Sequence, residues 1–185
     1  MNEQEIRSYT KNLHQIFIDT MHPHFDVQNP TYVNNIQFRP LLVYAIYGVN
    51  KITGESAIYL SKSYLEKINK NQKVERTDLD LSVFHESAHH LHYLRQKTIF
   101  QDRWILEPII DCAVLYYLQK NKMGEHINLH KTYEPVAFEL YDKLQNDAGL
   151  KSFLVAPEPE AIQMLEQMLG ENHWYLKEGL EKDQE

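Results

Sequence analysis

The sequence predicts a single α+β domain in which a small antiparallel β-sheet packs on two neighbouring helices, with further helices at both ends of the chain. Three observations lead to this prediction. Residues 41–49 and 57–60 are rich in β-branched and aromatic side chains and are separated by a turn-like stretch. Residues 77–96 and 104–122 carry apolar side chains at helical spacing. A chain of 185 residues is also long enough to bury one core.

The N-terminal segment predicts an amphipathic helix from Glu3 to Thr20. Its apolar side chains recur at helical spacing, and they are Ile6, Tyr9, Leu13, Ile16 and Phe17. The sequence at 22–24, His-Pro-His, ends this helix because proline favours a turn there. Residues 30–40 begin and end with proline and are mostly polar, so we expect irregular chain.

Two strands and a short helix are predicted next. Residues 41–49 (LLVYAIYGV) indicate the first strand, and a turn rich in Asn, Thr, Gly and Ser follows it. Residues 57–60 then supply a second strand, expected to be antiparallel to the first. A helix capped by Ser61 or Ser63 is expected to run to Ile68.

The segment from Thr77 to Gln96 predicts the central helix. Thr77 is the expected N-cap, with Asp80 as a shortened capping box. One arc of this helix is apolar and would rest on the core; it consists of Leu79, Val83, Phe84, Ala88, Leu91 and Leu94.

The other arc carries an H-E-x-x-H motif, which is typical of the active-site helix of zinc peptidases. His85 and His89 are four residues apart, so both imidazoles project from one side and can converge on a metal. Glu86 points about 100° away from His85 and could reach a metal-bound water. His92 shares the histidine face and is a competing ligand, whereas His90 is expected to be solvated.

Residues 104–122 predict a largely buried helix that Gly124 ends. Glu107, 18 positions beyond His89, is the candidate third ligand, because a catalytic zinc usually takes three protein ligands. Asp111 could accept the second ring N–H of a ligating histidine. The alternative is that both acids pair with Arg103 or with a lysine.

Two more helices are predicted towards the C-terminus, from about Glu134 to Gln145 and from Pro159 to Leu169. Residues 171–185 are charged around His-Trp-Tyr and are expected to fray as a flexible tail or to fold back. We therefore expect one domain over residues 1–185, with its core at about 41–122.

The composition limits the classes of partner and the cellular compartment that we expect. The net charge of −7 without a basic block argues against nucleic acid as a partner. A single cysteine, Cys112, excludes an internal disulfide and suits a reducing compartment. The N-terminus does not resemble a signal peptide, and no apolar run approaches the ~20 residues of a membrane span. We expect a cytoplasmic protein without a membrane partner.

The combination of H-E-x-x-H at His85–His89 with E-x-x-x-D at Glu107–Asp111 resembles the gluzincin clan of zinc metallopeptidases. The short chain with a strand pair before the active-site helix is most similar to the small single-domain members, the minigluzincins. The resemblance covers about residues 41–122. It implies that His85, His89 and Glu107 bind Zn²⁺, that Glu86 is the general base and that Asp111 orients a ligating histidine.

The resemblance also implies a substrate strand and an oxyanion-stabilising side chain. The second strand (Ala57, Ile58, Tyr59 and Leu60) would be the sheet edge that holds an extended peptide. His130 and Tyr133 are candidates for the oxyanion role. The sequence departs from the family at Leu106, where members often have Asn. Pro108 also disfavours helical geometry at Glu107, which is therefore expected at a helix start or kink.

Three functions follow from this reading. The first is a zinc peptidase that hydrolyses a peptide or protein substrate. The second is a zinc-bearing regulatory or adaptor protein that is weak on general substrates and similar to ImmA/IrrE-type proteins, which act on one dedicated partner. The third is a metal-free helical interaction protein with an accidental motif, for which chelation would not change stability.

Overall fold

The computed structural model describes residues 2–68, 73–97, 102–144, 146–170 and 172–182. It has an α+β architecture, as predicted. The elements of the described residues are α1 (Glu3–Met21), β1 (Asn35–Arg39), β2 (Ala45–Val49), β3 (Ser56–Ser61), α2 (Lys62–Ile68), α3 (Lys73–Gln96), α4 (Arg103–Lys120), α5 (Gly124–Tyr133), α6 (Pro135–Leu144), α7 (Asp147–Val155), α8 (Glu158–Leu169) and α9 (Trp174–Lys182).

Helix α1 confirms the first predicted helix and begins with a capping box. The Asn2 side chain accepts a hydrogen bond from the Glu5 N–H, and the Glu5 carboxylate accepts one from the Asn2 N–H. The apolar face of α1 is buried against α3 and α4, with Phe17 stacked on Phe84. This packing places the Phe84 side of α3 against the core.

The sheet is mixed rather than purely antiparallel. Strands β2 and β3 pair antiparallel, as predicted, with Ala45 opposite Leu60. Strand β1 was not predicted, and it pairs parallel to β3 with Ile36 opposite Ile58. The strand order β1-β3-β2 places β3 in the centre. The prediction that Ala57–Leu60 is the sheet edge is therefore wrong, because both sides of β3 are hydrogen-bonded to other strands.

Helix α3 begins at Lys73, so the prediction of Thr77 as its N-cap is wrong. Thr77 and Asp80 lie inside the helix and are buried. Asp80 does not cap the backbone; its carboxylate accepts hydrogen bonds from the Tyr9 hydroxyl at 2.7 Å and from His126 Nε2 at 3.0 Å. These partners come from α1 and α5, which local sequence does not reveal.

Helix α4 is the buried helix of the C-terminal half, with Ile109, Ala113 and Leu118 fully excluded from solvent. Helices α6 and α8 confirm two predicted helices, whereas α5 and α7 were not predicted. Within the segment predicted as a tail, α9 folds back and buries Leu176. None of the helices in the described ranges has the length and apolar character that crossing a bilayer requires.

Candidate metal centre

Helices α3 and α4 bring His85, His89 and Glu107 together in a cleft that all three line. The ligand atoms of these three side chains all lie within 4.8 Å of one another. Glu107 Oε2 is 3.0 Å from His85 Nε2 and 3.4 Å from His89 Nε2, and the two Nε2 atoms are 3.1 Å apart. Ligands ~2.0–2.2 Å from a tetrahedral ion are separated by about 3.3–3.6 Å. The spacing of the donor set is therefore close to that of the ligands of one metal ion.

The helical spacing of the two histidines accounts for their convergence. Residues four apart lie one turn above each other, so the His85 and His89 rings meet with centroids 4.8 Å apart. Ala88 and Leu91, on the other side of α3, are completely buried in the core. The core thus holds the helix in the rotation that points both imidazoles into the cleft.

Glu107 and Asp111 extend from the same face of α4. The Asp111 carboxylate accepts a hydrogen bond from His85 Nδ1–H at 3.0 Å, so Nε2 is free to face the metal position. Pro108 lies inside α4, which begins at Arg103. Glu107 and Asp111 therefore belong to the same helix, although a helix start or kink was predicted at Glu107. The side chain of Arg103, the alternative partner, lies outside the described part of the chain.

The charges of these side chains depend on the protons that they share. Burial disfavours the protonated His85 ring, but Asp111 and Glu107 outweigh it and raise the pKa of His85 well above its usual value. Burial would raise the pKa of Glu107, but hydrogen bonds from His85 and His89 hold it well below its usual range. A divalent cation would replace the proton as the positive charge among these donors.

Glu86 faces the sheet rather than solvent. Its Oε2 atom accepts a hydrogen bond from the Tyr47 N–H in β2 at 2.6 Å, and its side chain lines the cleft. Tyr44 C=O and Asn50 N–H bind β3 and the turn before it. Since backbone groups of a strand alternate in direction, Ala45 and Tyr47 direct theirs to the free edge of β2. The open edge beside the motif is therefore β2.

The cleft has a volume of about 890 Å³, within the range of small-molecule and peptide sites. One wall is β2 and the segment before it, and the others come from α3, α4 and α5. Leu42, Val43 and Ile46 on the β2 wall are exposed apolar side chains. These features leave room for an extended chain with apolar side chains along the wall.

The two oxyanion candidates line the cleft but bind other groups. His130 Nε2 donates to the Asp111 carbonyl at 3.2 Å and is buried, while the Tyr133 hydroxyl donates to Asp78 at 3.3 Å. Glu134, which also lines the cleft, was not predicted from the sequence. Burial, followed by the charge of Asp111, raises the pKa of Glu134 to about 8. A carboxylate directly before Pro135 gives no local signal of this location.

The remaining histidines of α3 take different positions. His92 also lines the cleft, one turn beyond His89, and burial lowers its pKa to about 4. The prediction that His90 is solvated is wrong, since its ring is buried between the Thr31 carbonyl and the Tyr47 hydroxyl. These two contacts attach α3 to β2 and to the chain before β1.

No protein-family model matches this chain, and no curated protein or solved structure is significantly similar to it.

Proposed function

We propose that this protein is a zinc-dependent peptidase. The observation that supports the proposal is the placement of His85, His89 and Glu107 around one metal position, with Glu86 directed to the free edge of β2. Two histidines and one glutamate are the ligands of thermolysin-type catalytic zinc, which keeps a further position open. The same donors also suit Fe²⁺. A glutamate that follows the first histidine of the motif favours zinc hydrolysis.

Different side chains of this cleft have different roles in the proposed hydrolysis. Zinc, when bound, supplies a water of pKa about 7 and polarises the carbonyl of the substrate. Glu86 is the proton acceptor, and its Oε1 atom is available because Oε2 is bound to the Tyr47 N–H. The protonated Glu86 then gives the proton to the amine that leaves. Asp111 holds His85 in the tautomer that presents Nε2.

The free edge of β2 is the proposed binding strand for the substrate. A peptide added there would pair with the main-chain N–H and C=O of Ala45 and with the C=O of Tyr47, because the Tyr47 N–H is bound to Glu86. Main-chain pairing of this kind carries no sequence preference. The exposed side chains of Leu42, Val43 and Ile46 would contact the side chains of the substrate. This arrangement replaces the predicted role of Ala57–Leu60, because β3 has no open edge.

A peptidase restricted to one dedicated partner protein is the second candidate. It is favoured by the engagement of His130 with the Asp111 carbonyl and of Tyr133 with Asp78. Neither side chain is thus held ready to stabilise an oxyanion. A partner that displaces Tyr133 from Asp78 would then be required for full activity.

Elemental analysis followed by a cleavage assay tests the proposal. We expect about one zinc per chain, rather than iron, after purification or after reconstitution of chelator-treated protein. The zinc-loaded protein should cleave members of a mixed peptide library, read out by mass spectrometry, and Glu86→Gln should not. Failure to bind zinc, or equal cleavage by both proteins, would contradict the proposal. Zinc binding with cleavage of no library member favours the dedicated-partner form.

A further inference from the structure

The first turns of α4 contain a backbone carbonyl that has lost its usual helical donor. Pro108 has no N–H, so it cannot bond to the carbonyl four residues earlier, which is that of Trp104. A proline ring inside a helix also crowds the carbonyl four residues earlier. A partly buried carbonyl in that position is stabilised by another donor.

Tyr175 of α9 supplies this donor. Its hydroxyl binds the Trp104 carbonyl at 2.8 Å, across 71 positions of sequence. Burial, and then the charges of Asp111, Glu107 and Glu134, raise the pKa of Tyr175. The hydroxyl consequently stays protonated as a donor.

The C-terminal part of the chain also contacts the end of α3 and the residue before α4. The Gln96 side chain at the end of α3 donates to the carbonyls of Val155 and Ala156 at 3.0 and 3.1 Å. The N-cap residue of α4, Asp102, makes no side-chain cap; its N–H donates to Glu158 at 3.2 Å. The start of the helix that carries Glu107 is therefore held by contacts with Glu158 and Tyr175.

Glu107 depends on this backbone for its position. It is three residues after Trp104, so the two lie on neighbouring turns of one helix face. The hydrogen bonds of its carboxylate go to His85 and His89, the other candidate ligands. A shift of the α4 backbone at Trp104 would move the Glu107 carboxylate relative to both rings.

We infer that Tyr175 is a positioning residue of the metal centre: its hydroxyl replaces the missing Pro108 N–H and thereby holds Glu107 at ligating distance. Helix α9 is then part of the metal-binding unit, although it lies outside the motif-bearing region. The inference rests on the proposed function only in taking Glu107 as a zinc ligand.

Zinc affinity, measured by competition with a chromophoric chelator on the full chain, tests this role. Tyr175→Phe should weaken zinc binding by about 10-fold, the effect of losing an outer hydrogen-bond partner. Tyr32→Phe is the matched control, because its hydroxyl binds Asp19 and not α4. It should bind zinc like the wild type.

The rescue variant separates positioning from a general loss of packing. Pro108→Ala restores an N–H that can bond to the Trp104 carbonyl, so Pro108→Ala/Tyr175→Phe should recover affinity to within about 3-fold of wild type. If Tyr175→Phe does not fold by circular dichroism, the double variant should fold and bind. An unchanged Tyr175→Phe, or a double variant that is unfolded or as weak as Tyr175→Phe, overturns the inference. A wild type that binds no zinc overturns the proposed function as well.

Discussion

The main-chain N–H of Tyr47 donates a hydrogen bond to Oε2 of Glu86 at 2.6 Å. This contact joins the free edge of β2 to the glutamate that lies between His85 and His89 in the motif. The hydroxyl of the same tyrosine binds His90, so one β2 residue holds α3 at two points. The sheet edge and the motif therefore have a fixed relative position, on which the following predictions depend.

Substitution of the proposed base should separate metal binding from turnover. Glu86→Gln keeps an oxygen that can accept the Tyr47 N–H but cannot take up a proton. Zinc content should equal that of wild type, and kcat should fall by at least about 100-fold. Glu66→Gln on the exposed side of α2 is the control and should retain both. Comparable kcat in Glu86→Gln would contradict the role of this side chain as base.

Removal of the proposed carboxylate ligand should abolish stable metal binding. Glu107→Ala deletes one of three protein ligands, so the loss of zinc affinity should exceed the about 10–100-fold effect of losing an outer hydrogen bond. Elemental analysis after dialysis measures this, with exposed Glu160→Ala as the matched control. Retention of zinc by Glu107→Ala would move the third ligand to His92, which lines the same cleft.

The orienting acid should have a smaller effect than the ligand. Asp111→Asn keeps an acceptor for His85 Nδ1–H but removes the negative charge behind the ring. We expect zinc affinity to fall by about 10–100-fold in chelator competition, with circular dichroism unchanged. Exposed Asp142→Asn should have no effect on affinity. A loss in Asp111→Asn as large as that in Glu107→Ala would indicate that Asp111 itself is a ligand.

The free edge of β2 can be blocked without breaking its pairing to β3. Ala45→Pro removes an N–H that points away from β3, and edge strands tolerate such a proline. If peptides add to this edge, KM should rise several-fold while zinc content stays at the wild-type value. Ala45→Ser keeps the N–H and serves as the control. Equal KM for both variants would exclude main-chain pairing at this position.

A buried histidine of α1 should make the fold sensitive to acid. His14 donates to Ser87 and accepts the Val33 N–H, and burial lowers its pKa to about 3. Between pH 6.5 and 3 the unfolded chain binds a proton at this ring and the folded chain does not. The contribution of His14 to the free energy of unfolding should therefore fall as the pH is lowered through that window, by about 1.4 kcal/mol per pH unit.

Chemical denaturation at several pH values, in the presence of chelator, measures this slope. His14→Gln cannot titrate but retains an acceptor and a donor, so its stability should fall less steeply between pH 6 and 4. The difference between the two slopes is the contribution of His14. Parallel curves for wild type and His14→Gln would show that this ring is not the responsible group.

Local sequence patterns contained most of the candidate centre. The four-residue spacing of His85 and His89 depends only on helical geometry, and the structure brings both rings together as that spacing predicts. Glu107 and Asp111 could be singled out because acids in an otherwise apolar helix are costly unless they are paired. Two elements of the sheet, β2 and β3, were also evident from their β-branched and aromatic residues.

The roles that depend on long-range contacts could not be predicted from local sequence patterns. Strand β1 is only five residues long, and its pairing partner β3 lies beyond β2 in the chain. That parallel pairing converts the predicted edge strand into the central one. Similarly, nothing in the local sequence indicates that His90 is buried. Its ring contacts Thr31 and Tyr47, which are distant in sequence.

The sequence by itself determined which residue types can bind a metal and on which helical face they lie, because these properties depend on neighbours within one or two turns. Tertiary structure alone decided which strand edge faces Glu86 and which helix fixes the start of α4. These are outcomes of packing between segments distant in sequence, such as Tyr175 and Trp104. Their free energy is a sum over many contacts, and no local pattern encodes that sum.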